Sequence, residues 1–150
     1  MPMGVLTKTL IGISLAATWL VPGRAAAAES SPASLAVIGF ELDDDHPDPV
    51  RALQLRDRLT AIQKQLEKGL HDRGLYRVVD TAAAKDLIDA LYERHSFVYR
   101  CNACFGEVGQ RLDTRLVAVG WVQRVSELIL NVNVSIRDAQ TDTEILSKSV

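Results

Sequence analysis

Cysteine is scarce in this chain: among 150 residues it occurs at Cys101 and Cys104 alone, three positions apart in Cys101-Asn102-Ala103-Cys104. With no cysteine at the end of the amino-terminal apolar run, the sequence offers no acylation point for a lipoprotein anchor. An excess of positive charge is also missing. Lys and Arg number 17 against 19 Asp and Glu, a net charge of −2 at pH 7, whereas a nucleic-acid binder normally presents a basic patch. The chain has no Ser-His-Asp order, phosphate loop, nucleotide fingerprint or metallohydrolase motif, which removes the commonest hydrolytic and nucleotide-dependent chemistries. Covalent haem attachment requires histidine directly after a C-x-x-C pair, and Phe105 stands there. Internal repeats, long linkers and a second domain are absent as well.

What is present begins with an export signal. Lys8 supplies a short positive region, residues 9–21 are apolar and uncharged, Pro22-Gly23 breaks the run, and Ala25-Ala26-Ala27-Ala28 offers small residues for cleavage. This order of parts is that of a secretory signal peptide, and the run is shorter than the roughly 20 residues of a membrane span. Residues 1–28 are therefore expected to be a signal peptide and residues 29–150 a single α/β domain. The expected location is periplasmic or secreted, with no transmembrane helix after cleavage. Removing Lys8 and Arg24 leaves the mature domain more acidic. The sequence stops at Ser147-Lys148-Ser149-Val150, inside a strand-like stretch, so it reads either as a final edge strand or as a chain cut short there.

Leu35-Ala36-Val37-Ile38-Gly39-Phe40-Glu41-Leu42 is apolar on both faces, the pattern of a buried strand. After an acidic loop, Asp48 is placed to cap a helix with Pro49 at its first position. Leu55, Leu59, Ile62, Leu66 and Leu70 then form one apolar stripe, and Gly74 is placed to end the helix. Residues 75–79 read as a second strand, and Thr81 as the cap of a helix carrying Ala84, Leu87, Ile88 and Leu91. Phe105, Val108 and Leu112 mark a third, short helix. Residues 115–122 are the best candidate for a central strand, residues 128–137 alternate as a half-buried strand, and residues 143–150 return as the last one. The expected fold is a mixed α/β sheet of five strands in the order β-α-β-α-α-β-β-β, with helices mainly over one face.

Gly109-Gln110-Arg111-Leu112-Asp113-Thr114-Arg115-Leu116-Val117-Ala118-Val119-Gly120-Trp121-Val122 is followed by Leu128-Ile129-Leu130-Asn131-Val132-Asn133-Val134 and Arg137-Asp138-Ala139-Gln140-Thr141-Asp142-Thr143. These runs resemble the helix, "alv-G-v" strand and "D-x-x-T-G" hairpin of TolB amino-terminal-like and CsgG-like periplasmic domains, and residues 35–40 and 76–80 resemble their upstream strands. The chain is also similar to secreted bacterial domains of unknown function that carry a C-x-x-C pair. Asp142 stands where the hairpin usually has glycine, and no propeller follows. The resemblance implies a non-catalytic assembly or interaction module whose partners are envelope or periplasmic proteins.

The cysteine pair leads the candidate sites. Export favours a structural disulfide, and cysteines at i and i+3 can meet the Cα separation it needs. A redox-active dithiol is the sharper alternative: Arg100 beside Cys101 and a helix opening at Cys104 would favour thiolate. Structural zinc needs four ligands; beyond the thiols there are His46, His71, His95 and carboxylates at no finger spacing, with His95 expected in a loop. No metal and no cofactor are expected. Asp43, Asp44, Asp45, His46 and Asp48 form a candidate ligand or cation loop after the first strand's carboxyl end, where α/β sheets commonly bind ligands; its plainer reading is a solvated strand-to-helix loop. Trp121, Asn131 and Asn133 are a candidate partner surface. The functional expectation is a binding module of an envelope complex, not an enzyme, with a periplasmic thiol-disulfide or metal-handling factor as the alternative.

Overall fold

Five strands form one mixed sheet in the order β2-β1-β3-β4-β5 in a computed structural model that describes residues 31–44, 48–126 and 129–150. Along the chain run β1 (Ser34–Asp44), α1 (Pro49–Asp72), β2 (Arg77–Val78), α2 (Lys85–Arg94), α3 (Gly106–Arg111), β3 (Leu116–Arg124), β4 (Leu130–Asp138) and β5 (Glu144–Ser149), with 3-10 turns at Ala82–Ala84 and Val98–Arg100. The order of strands and helices is the expected one. β1 pairs in parallel with β2 and β3, while β4 and β5 continue as an antiparallel meander. The residues read as a signal peptide, 1–28, lie outside the described residues. Among the described residues no helix is long and apolar enough to cross a membrane.

β1 and β3 are buried on both faces, which is why both read as nearly continuous apolar runs. On one face Ala36, Ile38, Val117 and Val119 pack with Ile88, Leu91, Val98, Phe105 and Val108, from α2, α3 and the segment between them. On the other, Leu35, Val37, Leu116, Ala118 and Ile136 pack against Leu66 and Leu70 of α1. The helices thus cover both faces, where the sequence placed them mainly over one. The central strands bury apolar side chains on both sides, and a single helical layer would leave one of those sides wet.

The ends of the elements follow local chemistry. Asp48 accepts the Val50 amide at 2.9 Å, as its reading as a cap requires. Gly74 takes φ +63, and its amide and that of Leu75 return to the carbonyls of His71 and Leu70, so the helix closes in a left-handed turn. Thr81 makes no side-chain cap. Asp80, one residue earlier, accepts the Ala82 amide at 3.0 Å and takes that role. In the last hairpin Asp138 accepts the amides of Gln140 and Thr141 and pairs with Arg115. The D-x-x-T pattern is therefore a carboxylate-braced turn.

Candidate functional site

The register of β1 sets the site. Val37 pairs with Ala118 and Phe40 with Gly120, so Ile38 and Gly39 together oppose Val119. This bulge needs glycine: Gly39 has φ +145, and a Cβ there would meet the Tyr92 hydroxyl. Phe40 then lies over Gly120, where a side chain would collide with its ring. The extra residue also shifts the alternation, so Glu41 and Asp43, beside Trp121 and Gln123, face the α2–α3 side rather than the α1 side.

On that side the two acids organise the segment between α2 and α3. Glu41 accepts the amides of Val98 and Tyr99 at 2.8 and 3.0 Å. Asp43 accepts the Tyr99 hydroxyl at 2.7 Å and pairs with Arg100 at 3.2 Å. Tyr99 stacks on Trp121 with centroids 4.2 Å apart and planes at 6°, and the Arg100 guanidinium lies over the Phe97 ring. Burial raises the Glu41 pKa above its usual 4.5, against the pull of the two amides it accepts. Burial likewise raises the Tyr92 hydroxyl, with the Glu41 charge adding to the effect. The Tyr99 hydroxyl is raised by burial and by its bond to Asp43.

Cys101 and Cys104 are joined in a disulfide with their Cα atoms 5.9 Å apart. His95, at the end of α2, places its Nε2 3.6 Å from each sulfur. The sequence places His95 close to the pair and in a loop, and it does lie just past α2; its contact with both sulfurs is what the sequence reading missed. A second structure holds the same turn. The Asp142 carboxylate accepts the Ala103 amide at 2.6 Å, and Arg137 donates to the Cys101 and Asp142 carbonyls at 3.0 and 3.1 Å. Asp142 has φ +55, so it occupies the left-handed position usually given to glycine while its side chain reaches the cysteine turn.

The acidic loop looks different in place. Asp43 and Asp44 lie within β1, and each engages an arginine, Asp44 with Arg124 at 3.0 Å. Asp48 serves as the helix cap, and Asp45 and His46 lie outside the described residues. Trp121 is half-buried under Tyr99. Asn133 is buried and donates to the Trp121 and Asn131 carbonyls at 3.5 and 3.3 Å. Trp121 and Asn133 are paired across β3 and β4.

The opposite face carries a cleft of about 320 Å³ at the carboxyl ends of β1 and β3. Leu55, Leu59 and Ile62 of α1 stand across it from Leu42, Val122 and Leu130, with Arg58 at the rim. None of the three helical residues is fully buried. Leu53 beside them is 67% exposed and Ile129 by the β3–β4 turn 53%. A larger open depression, about 900 Å³, lies by Ser34, Gln110 and Thr114. It sits at the amino-terminal ends of β1 and β3, away from the end where such sheets gather ligands.

Solved structures share this fold. The LpoB C-terminal domain from Salmonella enterica aligns at 10% identity over 83% of this chain and 84% of that one, with a TM-score of 0.58. Lipoprotein GNA1162 from Neisseria meningitidis aligns at 15% identity over 79% of this chain and 78% of that one, with a TM-score of 0.52. TolB from Acinetobacter baumannii aligns at 10% identity over 80% of this chain and 24% of that one, with a TM-score of 0.40, too loose a likeness to argue from. At such identities the first two establish fold alone. Comparison with curated proteins gives no match. Residues 33–150 match DUF3280, described as "Protein of unknown function (DUF2380)", and the chain belongs to that family.

Proposed function

We propose that the chain acts without catalysis, as a binding or assembly module of a periplasmic or envelope complex, and that the α1 cleft takes an apolar, acidic segment of a partner protein. The cleft carries this reading. An amphipathic helix ordinarily closes its stripe onto a core; here Leu66 and Leu70 pack against the Leu35–Val37 cluster, while Leu55, Leu59 and Ile62, half-buried like them, line the cleft with Leu42, Val122 and Leu130. Contiguous apolar surface of this kind marks interaction sites, and Arg58 at the rim favours a carboxylate on the incoming segment. The signal-like residues 1–28 support an exported location, as does the fold shared with a lipoprotein. The TolB-like and CsgG-like resemblance supports assembly over catalysis. The test is Leu59→Asp: partner capture from the envelope fraction falls at least tenfold while the thermal midpoint stays within a few degrees. Undiminished capture would contradict the reading.

A further inference from the structure

We propose that the Cys101–Cys104 turn and His95 form a redox-gated site for a thiophilic d10 cation, closed while the disulfide stands and open when it is reduced. His95 Nε2 and the two Sγ atoms lie within 4.8 Å of one another. At a tetrahedral zinc with bonds of about 2.3 Å to sulfur and 2.0–2.1 Å to nitrogen, neighbouring sulfur and nitrogen ligands stand about 3.6 Å apart. Both nitrogen–sulfur separations here are 3.6 Å. The imidazole already occupies the ligand position for both sulfurs, and the two sulfurs alone need to separate. Soft thiolates with one imidazole suit Zn(II) or Cu(I) over hard cations.

The scaffold does not depend on the sulfur bridge. Ala103 is held by Asp142, the Cys101 carbonyl by Arg137, and the Cys101 amide by the Val98 carbonyl. Glu41 fixes the amides of Val98 and Tyr99 just upstream. His95 is tied through its own amide to Leu91 at the end of α2. Opening the bridge therefore leaves both thiols and the imidazole in place. A cavity of about 160 Å³ adjoins Cys104 and His95, and Glu107 on its wall is the one carboxylate among its lining residues. That cavity leaves room for water or Glu107 as a further ligand, which a four-coordinate ion requires.

The chemistry balances with a dithiol as reductant. Thiol–disulfide exchange breaks the Cys101–Cys104 S–S bond, and two electrons and two protons pass to the pair while the donor dithiol becomes a disulfide. The cation then replaces the two thiol protons, which are released, and the neutral His95 ring supplies the third ligand. Exchange with a disulfide acceptor re-forms the Cys101–Cys104 bond, the acceptor becomes a dithiol as it takes the two electrons and two protons, and the ion is released. This inference is independent of the α1 cleft, and its failure would leave the partner reading standing.

The test uses the full chain, oxidised and after dithiol reduction, titrated with Zn(II) and, in a separate arm, with Cu(I) against a chromophoric chelator. Co(II) serves as a spectroscopic probe of thiolate coordination. Reduced protein is expected to take one equivalent and oxidised protein none, with thiolate-to-cobalt charge-transfer bands in the reduced form. His95→Ala is expected to weaken binding by at least about tenfold, since even supporting residues around metal ligands contribute 10–100-fold. Binding at parental affinity by His95→Ala would overturn the three-ligand site, and no binding by reduced, folded protein would overturn the proposal whole. As a control for unfolding on reduction, Cys101→Ser/Cys104→Ser is followed alongside by circular dichroism. A folded double variant that still binds as tightly as the reduced parent also overturns it.

Discussion

The Asp142 carboxylate accepts the Ala103 amide at 2.6 Å, across 39 residues of chain. Both residues have left-handed backbone, φ +55 and φ +59. The turn between β4 and β5 and the turn between the cysteines are thus two strained loops locked face to face, with Arg137 donating to both. This explains why aspartate replaces the glycine usual at that hairpin position. It tolerates positive φ and supplies an acceptor that glycine lacks.

Asp142→Gly separates the two contributions. Were the residue only a turn former, glycine would relieve a left-handed cost of roughly 1–2 kcal/mol, offset in part by about 0.4–1 kcal/mol of added unfolded-chain freedom, and the variant would be slightly more stable. Loss of a hydrogen bond to a charged group costs about 1.5–3 kcal/mol. We expect a net destabilisation of about 1 kcal/mol, read by urea unfolding. A more stable Asp142→Gly variant would contradict the brace.

Glu41 gives a pH signature. Its folded-state pKa lies above the ordinary 4.5 because it is buried. The folded state therefore holds its proton more tightly than the unfolded state. The associated stability is fully present below about 4.5 and is lost as pH rises through the folded value. Glu41→Gln removes that titration and leaves an amide NH2 facing a backbone donor, at a cost of about 1–3 kcal/mol. In urea unfolding at a series of pH values, the stability advantage of the parent over Glu41→Gln should shrink as pH rises above 4.5. An advantage that grows with pH would refute the buried placement.

The disulfide should matter modestly to stability. Closing so small a loop stabilises by about 2 kcal/mol on the chain-entropy model, and the turn is otherwise braced by Asp142 and Arg137. Cys101→Ser/Cys104→Ser should lower stability by about 2 kcal/mol or less and still fold. Native protein isolated without reductant should show no free thiol until it is reduced. Two titratable thiols in the untreated native protein would contradict the bridge.

Much of the fold was legible because periodicity reports burial directly. The alternation along β4, the stripe of α1 and the Asp48–Pro49 start each produced the element they announced. The bulge at Ile38–Gly39 was not legible, because a single inserted residue reverses the facing of Glu41 and Asp43 without changing the apolar count. β1 also runs on past the apolar pattern, pairing Asp43 and Asp44 with Gln123 and Arg124 of β3, so two members of the acidic loop lie in a strand and beside arginines. The contact of His95 with the sulfurs was missed for a different reason: it depends on the path of the chain after α2, which no local pattern encodes. The second helical layer was implicit in the two apolar faces of residues 35–42, whose consequence depends on where α1 returns.

The proposed role of the α1 cleft is tested most directly by site-specific photo-crosslinking in the envelope, with a photo-reactive amino acid in place of Leu59 and, as control, in place of exposed Gln110. The expected result is an adduct with a second envelope protein from position 59 and none from position 110. No adduct at position 59, or the same adducts from both positions, would contradict it.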